Sequence, residues 1–589
     1  MDLVAVAGMK TSGPAGIVTS ISVPAAVHAG VKALQAGGSA MDAALTTALT
    51  QNALFAGGPF SYAGHFSLSY FDAAAGKVHA LDATYAVPAA ENDAMSIPPY
   101  GTPHGRGVLV PGFMAGVEAA HARFGKLPFF ELLQPSIYFA EEGFEISTAM
   151  ATVMDQRSEV LLRRPEGREI FLAGDGSLLG GGERLAQPEL AALLKNVAAD
   201  GAAYMYTGPW AEKFVEAVRA EGGRITMEDM RSYRPRWHDD LPGAGVASHT
   251  LFGWPAYQRK FHLMERAGLD RMGHYAQSGE ALYWMMKIYR LDEVLGGFQT
   301  NGLDLAEIAG VAPELARVLA GDPYSDEATA LLWETMRQPA WGELEALARA
   351  KRAEELAKVA ESIEKLSKDF RRDVEEDRVT EDEADRPGHT AGVVAIDADG
   401  NMAALTHSVT SAVWGELGIF IDGVSVTDPA SFLQQAVAAA GPGGRIGASL
   451  GFVGMPLAVQ DGRVDLGCGS AGISGQLNMF QMHVDRILYG LSGMESIGKP
   501  KFHDEWNPLK PVHEPVGGPG HFRREVLLEA QALGLDVVPE EELARAAHGG
   551  VVNCAAHEAD GIRRGFNFLG TAHANPSTQL GALGLAQAE

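Results

Sequence analysis

One threonine in this chain has the surroundings that a self-activating nucleophile needs. Thr390 follows an acidic segment, residues 373–385, and opens a strand-like apolar run at residues 393–396. If the chain is cut before Thr390, that residue gains a free α-amino group, whose ordinary pKa is about 7.7–8.0. Such an amine can serve as general base for the hydroxyl of its own residue, which is the N-terminal threonine form of nucleophilic catalysis. Thr390 is therefore the first candidate for chemistry.

The elements that would position Thr390 are helices before it and strands after it. Residues 23–55 are rich in alanine, with apolar residues at helical spacing, and predict two helices broken at a pair of glycines, with Ser39 as N-cap of the second. Residues 66–72 and 77–82 flank a turn of small residues and predict a hairpin. Beyond the threonine, the predicted strands are residues 393–397, 402–409, 416–421, 452–459 and 463–467, and a helix is predicted near 474–490.

The chain is long enough for more than one lobe, since 589 residues exceed what a single core normally supports. Its composition, 46% hydrophobic and 21% charged, is typical of a soluble globular protein. Residues 111–232 have a helical pattern, and residues 343–372 predict a long surface helix. Residues 373–385 carry eight acidic side chains against one arginine, which is typical of a solvated linker. At about residues 385–390 the pattern changes from mostly helical to strand-rich.

The net charge limits the partners. It is −27, from 74 acidic against 47 basic residues. This balance argues against nucleic acid or an anionic membrane surface, because phosphate contacts need clustered lysine and arginine. A small molecule remains as the expected partner.

The cysteines and the N-terminal residues bear on the compartment. Cys468 and Cys554 are far apart in the sequence, and two free thiols in a reducing compartment are expected. There is no basic segment followed by an apolar stretch at the start, and no run of about 18 apolar residues, so a cytoplasmic location is expected. No Cys or His group has metal-ligand spacing, so neither a metal nor a cofactor is expected.

Several ordered motifs carry a family resemblance. They lie at residues 36–44, 110–116, 125–128, 132–135, 140–144, 222–230, 397–401 and 501–506. On these motifs the chain resembles the γ-glutamyltransferase family of N-terminal-nucleophile hydrolases over most of its length. The resemblance implies an α+β fold, a four-layer αββα sandwich formed from both halves of a self-cleaved precursor.

The resemblance also implies the division of the chain. The cut would fall between His389 and Thr390, leaving a large subunit, residues 1–389, and a small subunit, residues 390–589, that begins at the nucleophile. A charged linker at about residues 342–389 would end the large subunit. The expected partners are the two subunits of one precursor and a small-molecule amide, with a homo-oligomer left open.

Three further positions match catalytic positions of the family. Ser408, eighteen residues after Thr390, corresponds to a second hydroxyl that hydrogen-bonds the nucleophile; the alternative is a strand serine bonded to backbone. Residues 469–474 correspond to the family's oxyanion-hole loop. The N–H groups of Gly472 and Ile473 in this loop would stabilise a tetrahedral oxyanion. Directly after the nucleophile, Ala391 and Gly392 depart from the family pattern.

The substrate-binding positions depart further. Asn92 stands where the family has the arginine that holds the substrate α-carboxylate, and a neutral amide does not replace a bidentate clamp. Arg106 and Arg445 are alternative carboxylate partners, each of which could instead be an ordinary structural arginine. Asp428 is the nearest counterpart of the aspartate that pairs with the α-amino group. His65 and His407 are candidates to line the pocket, or structural histidines.

These observations favour a self-processing amidohydrolase or acyltransferase that uses Thr390 on an amide whose acyl group is not a standard γ-glutamyl group. A genuine γ-glutamyltransferase or glutathione hydrolase with a rearranged glutamate site is one alternative. An unprocessed, non-catalytic family member acting as a binding protein is the other.

Overall fold

The structure is a computed structural model, and it describes residues 7–20, 23–239, 241–296, 302–358, 390–447, 454–471, 475–501, 512–513, 522–538, 551–569 and 584–588. The strands are β1 Ala7–Thr11, β2 Gly16–Ser20, β3 His65–Asp72, β4 Lys77–Ala83, β5 Phe144–Glu145, β6 Arg184–Leu185, β7 Arg236–His238, β8 Ala244–Val246, β9 His249–Phe252, β10 Thr390–Asp397, β11 Met402–Ser408, β12 Ile419–Ile421, β13 Val424–Val426, β14 Leu457–Gln460, β15 Arg463–Ala471, β16 Val512–His513, β17 Val537–Val538, β18 Val551–His557, β19 Arg563–Leu569 and β20 Gly584–Ala588.

The helices occupy both parts of the chain. They are α1 Pro24–Gln35, α2 Ala40–Leu54, α3 Phe113–Phe124, α4 Phe129–Glu142, α5 Thr148–Gln156, α6 Ser158–Leu161, α7 Pro165–Phe171, α8 Pro188–Asp200, α9 Ala203–Tyr206, α10 Pro209–Ala220, α11 Met227–Ser232, α12 Pro255–Ala267, α13 Gly279–Tyr289, α14 Leu291–Leu295, α15 Leu305–Val311, α16 Pro313–Leu319, α17 Asp326–Met336, α18 Pro339–Lys358, α19 Gln434–Ala440, α20 Gly475–Tyr489, α21 Gly493–Ile497 and α22 Arg524–Ala532.

Two seven-stranded antiparallel sheets form the centre of the molecule. The first, here called the Thr390 sheet, has the order β20-β2-β10-β11-β3-β4-β7, and the second, the facing sheet, has the order β1-β19-β18-β15-β14-β9-β8. The sheets pack against each other where β10 and β11 contact β15 and where β10 contacts β18. Since side chains alternate along a strand, Val394 and Ile396 enter the core shared with the facing sheet, whereas Val393 and Ala395 enter the core beneath the helices.

Helices cover the outer faces of both sheets. α1 and α2 pack on β2, β10 and β11, and α20 packs on β15 and β18 of the facing sheet. The predicted helix pair is confirmed, with Ser39 as N-cap of α2 in a capping box with Asp42. Every residue of α2 is buried because α1 and α4 enclose it above the sheet.

Other sequence predictions have mixed outcomes. The hairpin of β3 and β4 and the strands β10, β11, β14 and β15 are confirmed. The surface helix is present as α18 up to Lys358, and the remainder of the predicted helix and linker lies outside the described residues. Among the described helices, none is long and apolar enough to cross a membrane.

The two cysteines pair with each other, so the prediction of free thiols was wrong. Cys468 on β15 and Cys554 on β18 are direct partners in the antiparallel register. Their Cα atoms are 4.1 Å apart, and the side chains form a disulfide. The sequence did not reveal this pairing because 86 residues separate two cysteines that only the strand register makes neighbours. The cytoplasmic location stays a prediction.

Candidate functional site

The site begins with two hydroxyl groups on neighbouring strands. Thr390 is the first residue of β10, and the antiparallel register places it directly opposite Ser408, the last residue of β11. The Oγ1 atom of Thr390 lies 3.1 Å from the Oγ atom of Ser408. Thr390 is half-buried and Ser408 is buried, so the threonine hydroxyl is the more accessible of the two. The pair can act as a nucleophile and a hydrogen-bonding partner that holds it.

The hydroxyl of Thr410 and the imidazole of His65 extend the series of polar contacts that begins with Thr390 and Ser408. The N–H of Thr410 donates to Ser408 Oγ at 2.9 Å, and the Oγ1 atom of Thr410 lies 3.3 Å from the same oxygen. The Nε2 atom of His65, on β3, lies 2.7 Å from Thr410 Oγ1. His65 is also the register partner of Ser408. Thr410 has a φ of +46°, which β-branched residues rarely adopt.

The ring of His65 is buried and held against an aromatic residue. Burial lowers the pKa of His65 to about 3, so the imidazole is neutral at ordinary pH. The ring of Tyr85 lies 4.7 Å from it, centroid to centroid. The hydroxyl of Tyr85 donates to the carbonyl of Val409 at 3.2 Å. His65 and Tyr85 therefore contact the chain on both sides of the Ser408–Thr410 turn.

Gly392, two residues after Thr390, lies where the two sheets approach each other most closely. A Cβ atom at Gly392 would lie 2.6 Å from the Cα of Gly469 on β15 and 2.7 Å from the side-chain oxygen of Asn553 on β18. Such distances leave no room for a side chain. The strand that leads to the predicted oxyanion loop therefore passes directly over the start of β10. Gly472 and Ile473 themselves, like His389 of the predicted cleavage site, lie outside the described residues.

The side chain of His407 does not lie on the same face of the sheet as that of Thr390. It precedes Ser408 on β11, so its side chain lies on the opposite face of the sheet, under the helices. Its Nε2 atom lies 2.7 Å from the side-chain oxygen of Gln51 on α2. Its ring contacts Phe60 and Phe113, and burial lowers its pKa to about 3. His407 is therefore a structural histidine in the core between the helices and the Thr390 sheet.

The first arginine candidate is already paired within the chain. Arg106 donates from Nε and Nη2 to both carboxylate oxygens of Glu91, at 3.1 and 2.9 Å. Arg224 donates to the same carboxylate at 3.0 Å and to the side-chain oxygen of Asn92 at 3.2 Å. The carboxylate that Arg106 and Arg224 hold therefore belongs to Glu91.

The second arginine candidate serves the backbone. Arg445 is buried, and it donates to the carbonyls of Thr84 and Arg234 at 3.0 and 2.5 Å. Its guanidinium lies over the ring of Tyr233, 3.5 Å from the centroid. Burial lowers the pKa of this guanidinium from its usual value. The Arg445 guanidinium therefore fixes its own loop against β4 and the residues that follow β4.

Asp428 lies near the hydroxyl cluster but is covered. Its side chain accepts from the hydroxyl of Ser411 at 2.9 Å and from the N–H of Glu416 at 3.1 Å. Burial raises the pKa of this carboxyl. Since Ser411 follows Thr410, the carboxyl supports the turn that carries the hydroxyls.

Sequence reasoning missed the parts of the site that act through distant contacts. Thr410, Tyr85 and Glu91 were not singled out, and only Thr410 carried a local signal, a hydroxyl two residues beyond Ser408. Within the described ranges, no group of three or more His, Cys, Asp or Glu side chains could hold a metal ion.

The sequence has relatives among glutathione hydrolases and acylases. The sequence profile described as Gamma-glutamyltranspeptidase matches residues 26–290. Glutathione hydrolase proenzyme of Escherichia coli (strain K12) is 25% identical over 515 residues, which cover 84% of this chain and 81% of that protein. Acylase ACY 1 proenzyme of Pseudomonas sp. (strain SE83) is 28% identical over 54% of this chain and 59% of that protein. Glutathione hydrolase 3 of Arabidopsis thaliana is 35% identical, over 25% of this chain and only 23% of its own length.

A solved structure has the same fold over almost all of the chain. The crystal structure of cephalosporin acylase from Bacillus halodurans superposes with a TM-score of 0.66 at 17% identity, covering 99% of this chain and 97% of that one. Over residues 26–290 the chain is similar to the γ-glutamyltransferase family. The sequence predicted Asn92 at the position of the clamp arginine, and Asn92, Arg106 and Arg445 all have partners inside the chain.

Proposed function

We propose that this protein is a self-processing amide hydrolase or acyltransferase whose nucleophile is Thr390 as an N-terminal residue. The observation that carries the proposal is the 3.1 Å distance between Thr390 Oγ1 and Ser408 Oγ at the first residue of a central strand. A hydroxyl at that place is buried enough to be oriented and open enough to meet a substrate. The charged segment before it is suited to become a free end after cleavage.

The first reaction is cleavage of the precursor. Thr390 Oγ1 attacks the carbonyl carbon of His389, and the C–N bond between the two residues breaks as the acyl group moves to oxygen. Water then hydrolyses this ester, which releases a carboxylate at His389 and restores the Thr390 hydroxyl. The new α-amino group is the general base that later turnovers require.

The second reaction uses the same oxygen on a substrate. The hydroxyl proton of Thr390 moves to the α-amine, and Oγ1 bonds to the acyl carbon of the amide. The proton passes to the leaving amine as the C–N bond breaks, and water or an acceptor amine resolves the acyl-enzyme. The N–H groups of Gly472 and Ile473 are proposed to stabilise the oxyanions.

The substrate is proposed to lack the α-carboxylate of a γ-glutamyl group. A bidentate arginine is the usual partner for a carboxylate, and neither candidate arginine offers one here. The guanidinium of Arg106 is already hydrogen-bonded to Glu91. The guanidinium of Arg445 is hydrogen-bonded to two backbone carbonyls and lies over an aromatic ring. A relative named as an acylase is compatible with an acyl group other than γ-glutamyl.

The fold is proposed to function as an αββα sandwich shared by the two subunits. Helices lie outside each of the two packed sheets. Both sheets contain strands from before and after residue 390. Cleavage at that point would therefore leave one folded unit made of two chains.

Mass spectrometry of the intact protein, with N-terminal sequencing of the smaller fragment, tests the nucleophile. We expect two fragments, the smaller beginning at Thr390. A single full-length chain in both fresh and aged protein would exclude both enzyme hypotheses and leave the unprocessed binding protein.

A second candidate is a genuine γ-glutamyl enzyme, which the 84% coverage by a glutathione hydrolase proenzyme favours. Cleaved protein is incubated with γ-glutamyl-p-nitroanilide and with acetyl, hexanoyl and phenylacetyl p-nitroanilides. We expect p-nitroaniline release from an uncharged acyl anilide. Release from the γ-glutamyl compound at ordinary enzyme rates would contradict the substrate class.

A further inference from the structure

The loop that follows Ser408 is buried and has a constrained backbone. Residues 409–418, here called the 409–418 loop, connect β11 to β12, and all of them except Thr410 are buried. Thr410 and Trp414 have φ values of +46° and +61°, which residues other than glycine seldom adopt. Such a backbone persists only where the surrounding structure holds it in place.

One arginine donates to several acceptors in this loop. Arg157, which follows α5 directly, donates from Nε to the carbonyl of Val413 at 3.2 Å and from Nη2 to the carbonyl of Gly415. Its Nη2 also lies 2.8 Å from the carboxylate of Glu416. Because a buried loop has no strand ladder to satisfy its carbonyls, side-chain donors must do so. Arg157 therefore supplies hydrogen bonds that the backbone of the loop needs.

Two neighbouring arginines continue these contacts toward β12. Arg163 donates to the carbonyl of Glu416, and Nε of Arg164 donates to the carbonyl of Leu417 at 3.1 Å. All three arginines come from the short stretch between α5 and α7. The second half of the loop is thus bound by one small part of the chain.

Apolar packing joins the same two parts. Val413 and Trp414 belong to a buried cluster with side chains of α5, α6 and α7. The ring of Trp414 lies 5.7 Å from that of Phe171, centroid to centroid, and its Nε1 donates to the carbonyl of Ala56 at 3.0 Å. The polar and the apolar contacts therefore fix the 409–418 loop on the helices α5–α7.

The loop transmits its position to the hydroxyl pair. The Oγ atom of Ser408 accepts from the hydroxyl of Thr390 at 3.1 Å and from the N–H of Thr410 at 2.9 Å. The carboxylate of Asp428 then ties the start of the loop to its end, because Oδ1 accepts from the hydroxyl of Ser411 at 2.9 Å and from the N–H of Glu416 at 3.1 Å. A displacement at Glu416 therefore moves Ser411 and, with it, the neighbouring N–H that contacts Ser408.

We infer that Arg157 is a positioning residue for the Thr390–Ser408 pair, which it holds through the 409–418 loop. The inference rests on the proposed function of Thr390 and deepens it. Since Arg157 precedes residue 390 and the loop follows it, the proposed large subunit would hold the catalytic hydroxyls of the proposed small subunit.

The guanidinium is the group that this role requires. It is planar and always charged, and it presents five N–H groups in fixed directions. Arg157 uses these directions to reach two carbonyls and one carboxylate at once. A lysine would keep the charge next to Glu416, but a single nitrogen does not reproduce the fixed geometry of the other two contacts.

Paired substitutions test this role. Arg157→Met removes the donors and keeps an unbranched side chain, and Arg157→Lys keeps the charge. Arg184→Met is the matched control, because Arg184 also donates to two carbonyls, those of Glu142 and Gly143 at 2.8 and 2.9 Å, and both lie outside the 409–418 loop. Two rates are measured well below the melting temperature of each variant: conversion of freshly synthesised full-length chain, and turnover of the best p-nitroanilide by cleaved protein.

We expect Arg157→Met to slow conversion and to lower kcat about 10²-fold with KM unchanged, the cost of displacing a reacting group by about 1 Å. Arg157→Lys should fall between Arg157→Met and the wild type. Arg184→Met should keep the wild-type kcat, KM and conversion rate, even where its melting temperature falls. A purely structural arginine would lower the melting temperature and leave the kcat of the folded protein unchanged.

The inference is overturned by wild-type rates in folded Arg157→Met, by an equal loss of kcat in Arg184→Met, or by a rise in KM at unchanged kcat. If Arg157→Met does not fold, Arg157→Gln keeps one N–H donor group, and wild-type rates in that variant overturn the inference as well. Wild-type protein that neither cleaves nor hydrolyses any anilide contradicts the proposed function itself, which is a separate outcome.

Discussion

Ser408 is the residue on which the proposed chemistry of Thr390 depends most directly, because its hydroxyl is 3.1 Å from the nucleophile. Ser408→Ala removes the oxygen that accepts from the Thr390 hydroxyl and orients it, while keeping the strand, and we expect kcat to fall about 10²-fold, the usual cost of a misplaced reacting group. Ser408→Thr keeps a hydroxyl and should stay within about 10-fold of the wild type. Precursor cleavage on denaturing gels and steady-state kinetics report the two rates. Unchanged kcat in Ser408→Ala would show that this hydroxyl takes no part.

The nucleophile itself has a stricter test. Thr390→Ala lacks the attacking oxygen, so the chain should stay at full length indefinitely. Thr390→Ser retains a primary hydroxyl and should cleave, at a rate set by its freer rotamers. Intact mass at successive times after synthesis distinguishes the variants. Cleavage of Thr390→Ala at the same bond would mean that another group or a contaminating protease makes the cut.

The sequence predicted some residues of this site and not others, for physical reasons. Thr390 and Ser408 were predicted from the family resemblance, and they meet in the structure because they belong to one hairpin, whose register follows from the strand lengths and the turn. His65 was found only as a candidate pocket histidine, since its link to Thr410 depends on which strand lies beside β11. His407 was misplaced because the face of a β-strand residue changes with every position.

At the scale of elements, the close approach of β10 and β15 is the feature that positions the site. Gly392→Ala would put a Cβ 2.6 Å from the Cα of Gly469, so the strands would have to separate. We expect a loss of about 1–3 kcal/mol in stability, as for other overpacked cores, with slower precursor cleavage. Gly245→Ala on β8, where nothing lies within 4 Å of the added carbon, is the control. Equal melting temperatures and cleavage rates for both variants would contradict this view of the sheet contact.

A second feature at this scale is an ion network between strands and a helix. Arg486 on α20 contacts both carboxylate oxygens of Asp465 on β15 at 2.6 Å, and His249 on β9 lies 3.0 Å from the same group. Burial alone would raise the pKa of Asp465, but the hydrogen bonds from Arg486 and His249 outweigh it and lower the pKa to about 2. The ordinary value is 3.8, so the network contributes about 2 kcal/mol.

The sign of this shift sets its pH dependence. A carboxyl with a lowered pKa in the folded state stabilises the protein fully above about pH 4, and the contribution is lost as the pH falls toward 2. Asp465→Asn should therefore melt below the wild type at pH 7, and the gap should narrow between pH 4 and 2.5. Asp461→Asn in the neighbouring exposed turn is the control. A gap that stays constant or grows over this range in calorimetry would contradict the argument.

At the scale of the whole molecule, the strand order determines what cleavage can do. β10 lies between β2 and β11 in the Thr390 sheet, and β1 pairs with β19 in the facing sheet. Each sheet thus combines strands from both sides of residue 390, and strands from the two sides are direct neighbours at β20–β2, β2–β10 and β11–β3 in the first sheet and at β1–β19 and β14–β9 in the second. The fragments are held by backbone ladders and by a common core, so separating them requires unfolding both sheets. The sequence could predict two parts but not their interleaving, because the patterns locate strands without giving their neighbours.

The disulfide makes this arrangement testable on one gel. Cys468 and Cys554 both follow residue 390, so their bond closes a loop within the proposed small subunit and would not join the two proposed fragments. Denaturing electrophoresis should show the same two bands with and without reducing agent. Native size-exclusion chromatography should keep both fragments in one peak, again with and without reductant. Fragments that part under native conditions, or a full-length band that appears only without reductant, would contradict the interleaved sheets or the pairing of the cysteines.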